Sequence, residues 1–281
     1  MRAPAFPLLA SLAAIVAGCS SLSGDPPAPY TPSPLGSGLR LSQVQDPHSK
    51  DYNPCRNPVP SMCGSADVSS IVVTWLDTFD ETMDGKSIGT LYLQDVGNPL
   101  PYSGIGSYET SFVPASLTPL PGDVLDFSGP YAESGNIGSA TFNAGTFLPQ
   151  FYKPVGTFRY EFVPPPPLEI TAQDLNEDTS KPDGNFANAR QYLQMLVTVK
   201  DVIVAGGVST AGGAGHRVTY LVENADGGAS STGVKISNEL YNLQATDFPA
   251  GTHFASVTGI VTWFYSFQIA PRTAADLVVA Q

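Results

Sequence analysis

The chain has 281 residues, of which 25 are acidic and 13 are Lys or Arg, giving a formal net charge of −12, and it carries 27 Gly and 26 Pro with only 14% charged residues. This acidity removes the cation-to-phosphate attraction that supplies most nucleic-acid affinity, and no Lys/Arg cluster restores it locally. The length suits one large domain or two ordinary ones, and the Gly/Pro-rich, charge-poor balance suits a β-rich exported protein.

At the N-terminus, Arg2 supplies a positive start, residues 6–17 are mostly apolar, and the small-residue run Val16-Ala17-Gly18 closes on Cys19. The apolar stretch has signal-peptide length and is too short to span a bilayer. The segment resembles the bacterial lipoprotein signal, in which the thiol is lipidated and becomes the new N-terminus; simple secretion with a cysteine near the cut is the alternative. The resemblance implies a signal peptide at 1–18, a lipid on Cys19 and a membrane contact made through that lipid. Ser20, standing where an aspartate would retain the protein at the inner membrane, is similar to signals sorted to the outer membrane of a Gram-negative cell. With Cys19 committed, the chain's three cysteines leave Cys55 and Cys63 as an even pair. In an oxidising envelope that pair favours a local disulfide over a cysteine metal site, for which no second Cys/His pair has ligand spacing.

Residues 19–64 are expected to form a Pro-rich tether, because the prolines of the stretch 25–34 sustain neither a helix nor a ladder. From Val68 onward, short β-branched and aromatic runs alternate with Gly, Pro, Asp and Asn. They predict strands at 70–76, 90–94, 104–108, 124–128 and 159–162. Four consecutive prolines at 164–167 mark a linker, placed at 164–183, between a first module at 65–163 and a second at 184–281. In the second module Phe186, Ala189, Tyr192, Leu193 and Leu196 follow helical spacing and predict a short helix at 185–195. Strands are expected at 196–204, 217–223, 233–236, 254–263 and 266–269. The Gly-rich loop at 205–215 is read as a hairpin connection, since no Lys-Ser/Thr follows to make a P-loop.

The halves echo one another. Gly89-Thr90-Leu91-Tyr92-Leu93-Gln94-Asp95 is answered by Arg217 to Asn224, and Pro121-Gly122-Asp123 through Gly129 by Ala250-Gly251-Thr252 through Gly259. Strand, turn, strand, Gly turn and a strand closing on Gly is the order of a small Greek-key barrel. These phrases, with Tyr102-Ser103-Gly104-Ile105 and the C-terminal Ile269-Ala270-Pro271-Arg272, resemble the OB-fold-type module found beside secreted bacterial nucleases, over about residues 70–281. The expected class is therefore mainly all-β, two small OB-like barrels with a short helix behind a disordered lipidated tether. No nuclease domain accompanies them, and the fold alone names no ligand.

Candidate chemistry is sparse. The only histidines are His48, His216 and His253, and neither a Gly-x-Ser-x-Gly elbow nor a zincin pair occurs. No cofactor is expected; a Ca2+ ion is the alternative, at Asp77, Asp80, Glu81 and Asp84 or at Asp174, Asn176 and Asp178. The second set departs from the EF-hand pattern at Thr179 and Asn185. Trp75, Tyr92, Tyr220 and Trp263 are candidates for a stacking platform toward bases or sugars, against a simpler role in the core. The expected function is a non-catalytic envelope binding or assembly protein with a glycan or protein partner. A nucleic-acid-binding or nuclease-accessory lipoprotein and a metal-dependent hydrolase are the rivals.

Overall fold

Hydrophobic residues alternate along each long strand, so each strand has a face that must be covered, and closing the sheet on itself covers it. In a computed structural model the first sheet contains β1 (Ser65–Leu76), β2 (Thr90–Asp95), β3 (Gly104–Tyr108), β4 (Asp123–Ala132), β5 (Gln150–Phe151) and β6 (Val155–Phe162). The structure describes residues 38–52, 62–83, 89–97, 99–108, 119–132, 150–151, 154–175, 189–210, 216–225, 234–263 and 266–281. The strand order is β1-β2-β3-β5-β4-β6, and a further β1–β4 ladder closes the first five strands into a barrel. Only β3 and β5 run parallel among these pairs, which is the OB arrangement.

The second sheet contains β7 (Leu168–Ile170), β8 (Leu196–Ser209), β9 (Thr219–Asn224), β10 (Lys235–Ser237), β11 (His253–Trp263), β12 (Phe267–Ala270) and β13 (Leu277–Val279). Its order, β13-β11-β12-β10-β9-β8-β7 with a β11–β8 closure, repeats the first sheet strand for strand and adds β7. Within the closed five strands one pair is again parallel, β10 with β12, and the added β7 also runs parallel to β8. The sixth strands also correspond: β13 joins β11 as β6 joins β4.

Each barrel's first strand must serve two neighbours, and both solve this with a switch in side-chain parity. Ala66 and Val68 point into the core, then Ile71 and Val73 do; the change occurs at Ser69–Ser70, where Ser70 takes φ 57° and the β1–β4 register shifts. In β8 the inward pair Val197 and Val199 gives way to Val202 and Val204 across Asp201, at φ 51°. There the partner strand keeps step by carrying Ala255 as an extra residue, so the β8–β11 register runs unbroken. Gly259 is required where β11 passes β12, since a Cβ would stand 2.5 Å from the Ala270 carbonyl oxygen.

Three local expectations differ from the structure. The stretch assigned to the tether already contains ordered structure. Leu39 bridges Val68, and α1 (Leu41–Gln45) buries Leu41 and Val44 in the first core. Proline density upstream hid this short apolar turn, whose first amides are held by Asp95: Leu41 N–H at 2.7 Å and Ser42 N–H at 3.1 Å. The linker likewise contributes structure, because β7 begins at Leu168, after the last proline, and its amides reach the β8 ladder. Of the helix at 185–195, the described part is helical only at 189–190 and then turns, ending at Gln194 with φ 63°. Its spacing nevertheless marks the right side chains, as Ala189 and Leu193 plug the second core. The signal peptide, Cys19 and Cys55 lie outside the described residues. Among the described residues no helix is long and apolar enough to cross a membrane.

Candidate functional site

Both barrels belong to one compact unit, and their seam is built on the outer face of β2 and β3. That face carries Tyr92, Gln94, Gly104 and Gly106 in adjacent cross-strand positions. The side chain of Gln94 accepts from the Leu196 amide at 3.0 Å and donates to the Pro166 carbonyl at 3.1 Å, so one residue ties the first barrel to both ends of the second barrel's entry. Gly104 lets the two backbones touch; a Cβ there would lie 2.5 Å from the Met195 nitrogen. Tyr92, Leu196, Leu240, Ile260 and Ala270 make a separate apolar cluster at this seam, with Trp75 packed on its edge. Strands 2 and 3 are the customary ligand face of an OB barrel. In the first barrel a neighbour occupies it.

Beside the apolar cluster lies a buried polar one. Asp77 and Glu81, on the connection that leaves β1, come from the first barrel; Arg217 and Glu239 come from the second. Arg217 pairs with Glu81 through a short contact and approaches Glu239 at 3.7 Å. Glu239 is fixed from its own barrel, accepting from Thr262 Oγ1 at 2.6 Å and Gln268 Nε2 at 2.8 Å. Burial pushes the Asp77 carboxyl up to about 8, the Phe79 amide opposing and Glu239, Glu81 and Asp80 adding to the rise. Burial likewise lifts Glu81 to about 7, although Arg217 pulls the other way. A second tie runs through Arg272, which grips Asp276 through two nitrogens at 2.9 and 3.0 Å, donates to the Thr74 carbonyl at 3.4 Å and lies over the Trp75 ring.

The structure thus gives Glu81, on the β1–β2 connection, a partner from the second barrel. Asp77 belongs to the seam, Asp80 accepts from Thr82, and Asp84 lies outside the described residues. Asp174 closes a turn by accepting from the Thr171 amide and hydroxyl, both at 2.8 Å; Asn176 and Asp178 lie outside the described residues. Among the described residues no three His, Cys, Asp or Glu side chains converge as a metal set. His48 is exposed beside Asp46, and His253 opens β11 at 3.6 Å from Asp201.

The stacking platform is corrected for three of its four members. Tyr220 is fully buried with its hydroxyl donating to the Gln244 carbonyl, Trp263 packs edge-on to Phe267 at 4.8 Å, and Tyr92 is held in the seam. Only Trp75 keeps partial exposure, under Arg272. Registers explain this placement. Gln94 faces Val72 as Glu223 faces Ile203, which aligns Tyr92 with Leu221 and puts Tyr220 on the inward position of Leu91. Arg217 and Glu239 were missed because nothing near them in the chain signals acidic partners; Glu81 lies 136 residues from Arg217.

Among the described residues no neighbouring barrel covers the second barrel's equivalent face. Thr219, Leu221 and Lys235 are half-buried there and Glu223 is exposed. Compared with protein-family models, curated proteins and solved structures, the chain matches none.

Proposed function

We propose that this chain is a lipid-anchored cell-envelope protein that binds or assembles without catalysis, presenting two OB-type barrels as one head to a glycan or protein partner. The observation that carries this reading is the fate of the perturbed carboxylates. Asp77 and Glu81, whose carboxyls burial raises to about 8 and about 7, are sealed between the barrels, Glu81 paired with Arg217, a use in assembly rather than in a cleft open to substrate. The β9–β10 face adds a surface of mixed polarity whose exposed acid, Glu223, suits nucleic acid poorly. The anchor through Cys19, outer-membrane residence and the Cys55–Cys63 pairing are parts of the same reading. For the pairing, burial of Cys63 at the entrance of β1 and its disulfide-bonded state lend support.

The test uses the full chain expressed in a Gram-negative host. Palmitate incorporation that disappears in Cys19→Ser is expected, as is co-sedimentation of the detergent-solubilised protein with purified sacculi or cross-linking to an envelope protein. A salt-sensitive shift of duplex DNA would overturn the reading in favour of a nucleic-acid partner. Chelator-sensitive hydrolysis lost in Asp80→Ala would overturn it in favour of an enzyme.

A further inference from the structure

Away from the seam, on the outer surface of β1, β4 and β6, the first barrel carries a depression of about 240 Å³. Two cross-strand rows build it. Asp67 faces Ser128 and Ser128 faces Val155; one step along, Asp126 faces Thr157 and lies beside the Ser69–Ser70 bulge. Because neighbouring residues of one strand point to opposite faces, Val68 and Phe127 between these rows go into the core and form its floor. The segment at Gly38 makes one wall, crossing Ser69 so closely that a Cβ would stand 2.1 Å from Oγ. Val155, 69% exposed, supplies an apolar rim.

The polar groups are held in place without being used up. Asp126 Oδ1 accepts from the Ser70 amide at 2.8 Å and from Arg159 Nε at 2.7 Å, while Asp67 Oδ1 accepts from the Ser128 hydroxyl. Among the described residues each carboxylate keeps Oδ2 as an acceptor, and Thr157 adds an exposed hydroxyl that both donates and accepts. Asp126 is paired with buried Arg159, which leaves Asp67 as the carboxylate of the depression without a basic partner among the described residues, so the site carries one open charge and not a double anionic pit. Its size is below that of a drug-sized pocket and suits about one sugar ring. Fixed acceptors and hydroxyls around a small apolar rim match the vicinal hydroxyls and C–H face of a pyranose.

We infer that the β1–β4–β6 depression is a saccharide subsite, taking one ring of a neutral, hydroxyl-rich glycan through Asp67, Asp126, Ser128 and Thr157. The inference rests on the glycan branch of the proposed function and places that ligand on strands distinct from the β2–β3 and β9–β10 faces.

Full-length protein in detergent is titrated by calorimetry with a β-1,4-linked N-acetylglucosamine tetramer, with the corresponding glucose tetramer and with a Lys-rich peptide, and tested for sedimentation with sacculi. Saturable binding of at least one tetramer, weakened tenfold or more in both Asp67→Asn and Thr157→Ala, is the expected result. Both positions are exposed, and unchanged melting temperatures show that the variants fold. Tetramer or sacculus binding that both variants retain overturns the subsite and leaves the glycan reading standing. Binding of the peptide alone overturns the saccharide assignment in favour of a basic protein segment. Loss of both sacculus and tetramer binding in the unmodified protein overturns the subsite together with the glycan branch.

Discussion

Asp77 shows how a single carboxyl can set the pH response of the seam. Its folded pKa, about 8, lies above the ordinary 3.8, so folding holds a proton that the unfolded chain releases. This stabilisation is complete below about pH 4 and is lost as pH rises through about 8; Glu81, raised from 4.5 to about 7, works in the same direction over a narrower range. The melting temperature should therefore fall between pH 5 and pH 9. In Asp77→Asn, which keeps the shape and removes the titration, the fall should be visibly shallower in differential scanning calorimetry. A parallel pair of curves would assign the pH response to other groups. Asp95 is the structural counterpart, buried and raised by burial, but spent on the amides of Leu41 and Ser42 and on the Ser42 hydroxyl.

At the level of elements, two substitutions separate contact from closeness. Gln94→Ala leaves the Leu196 amide and the Pro166 carbonyl without their partner, and should cost about 1–3 kcal/mol in urea denaturation. Gly104→Ala pushes a methyl against the Met195 and Gln194 backbone, which cannot swing aside as a flexible side chain does; it should destabilise by roughly 1–3 kcal/mol. The two routes are distinguishable, since trimming the Met195 side chain should not rescue Gly104→Ala. Long strands were legible because β-branched runs between Gly and Pro carry their own periodicity; β3 spans 104–108 in both readings and β11 differs from the expected 254–263 only at its first residue. Among the elements of two or three residues, β10 overlaps the run expected at 233–236, whereas β5, β7 and β13 show no period of their own and are fixed by the neighbours they pair with. Ser69 and Ser70 carry no bulge signal of their own, so the parity switch in β1 emerges only when Val68 and Ile71 must both face inward. The acidic connection after β1 was legible as a cluster, but its chemistry depends on Arg217 and Glu239, brought near it only by the fold.

Across the whole molecule the barrels share one apolar cluster, Tyr92 from the first packed with Leu196, Leu240, Ile260 and Ala270 from the second, and this contact should couple their unfolding. Urea unfolding followed by fluorescence and by far-ultraviolet circular dichroism should give coincident curves. Separately expressed halves, divided within the prolines at 164–167, should be less stable and should associate when mixed. Independent transitions, or halves as stable as the intact chain, would contradict the coupling.

The seam joins unlike surfaces of two like bodies. The front of one barrel meets the entry side of the next, a head-to-tail contact that has no symmetry to close it and that, repeated, generates an open row. What ends the row is written in the second barrel: Glu223 stands where the first has Gln94, and Lys235 where it has Gly106. An exposed charge replaces the amide that bonded two backbones, and a long side chain fills the space a bare glycine left for close approach. The second barrel is thereby the capped end of a two-unit stack, in the way terminal units of repeat proteins are made polar to stop growth.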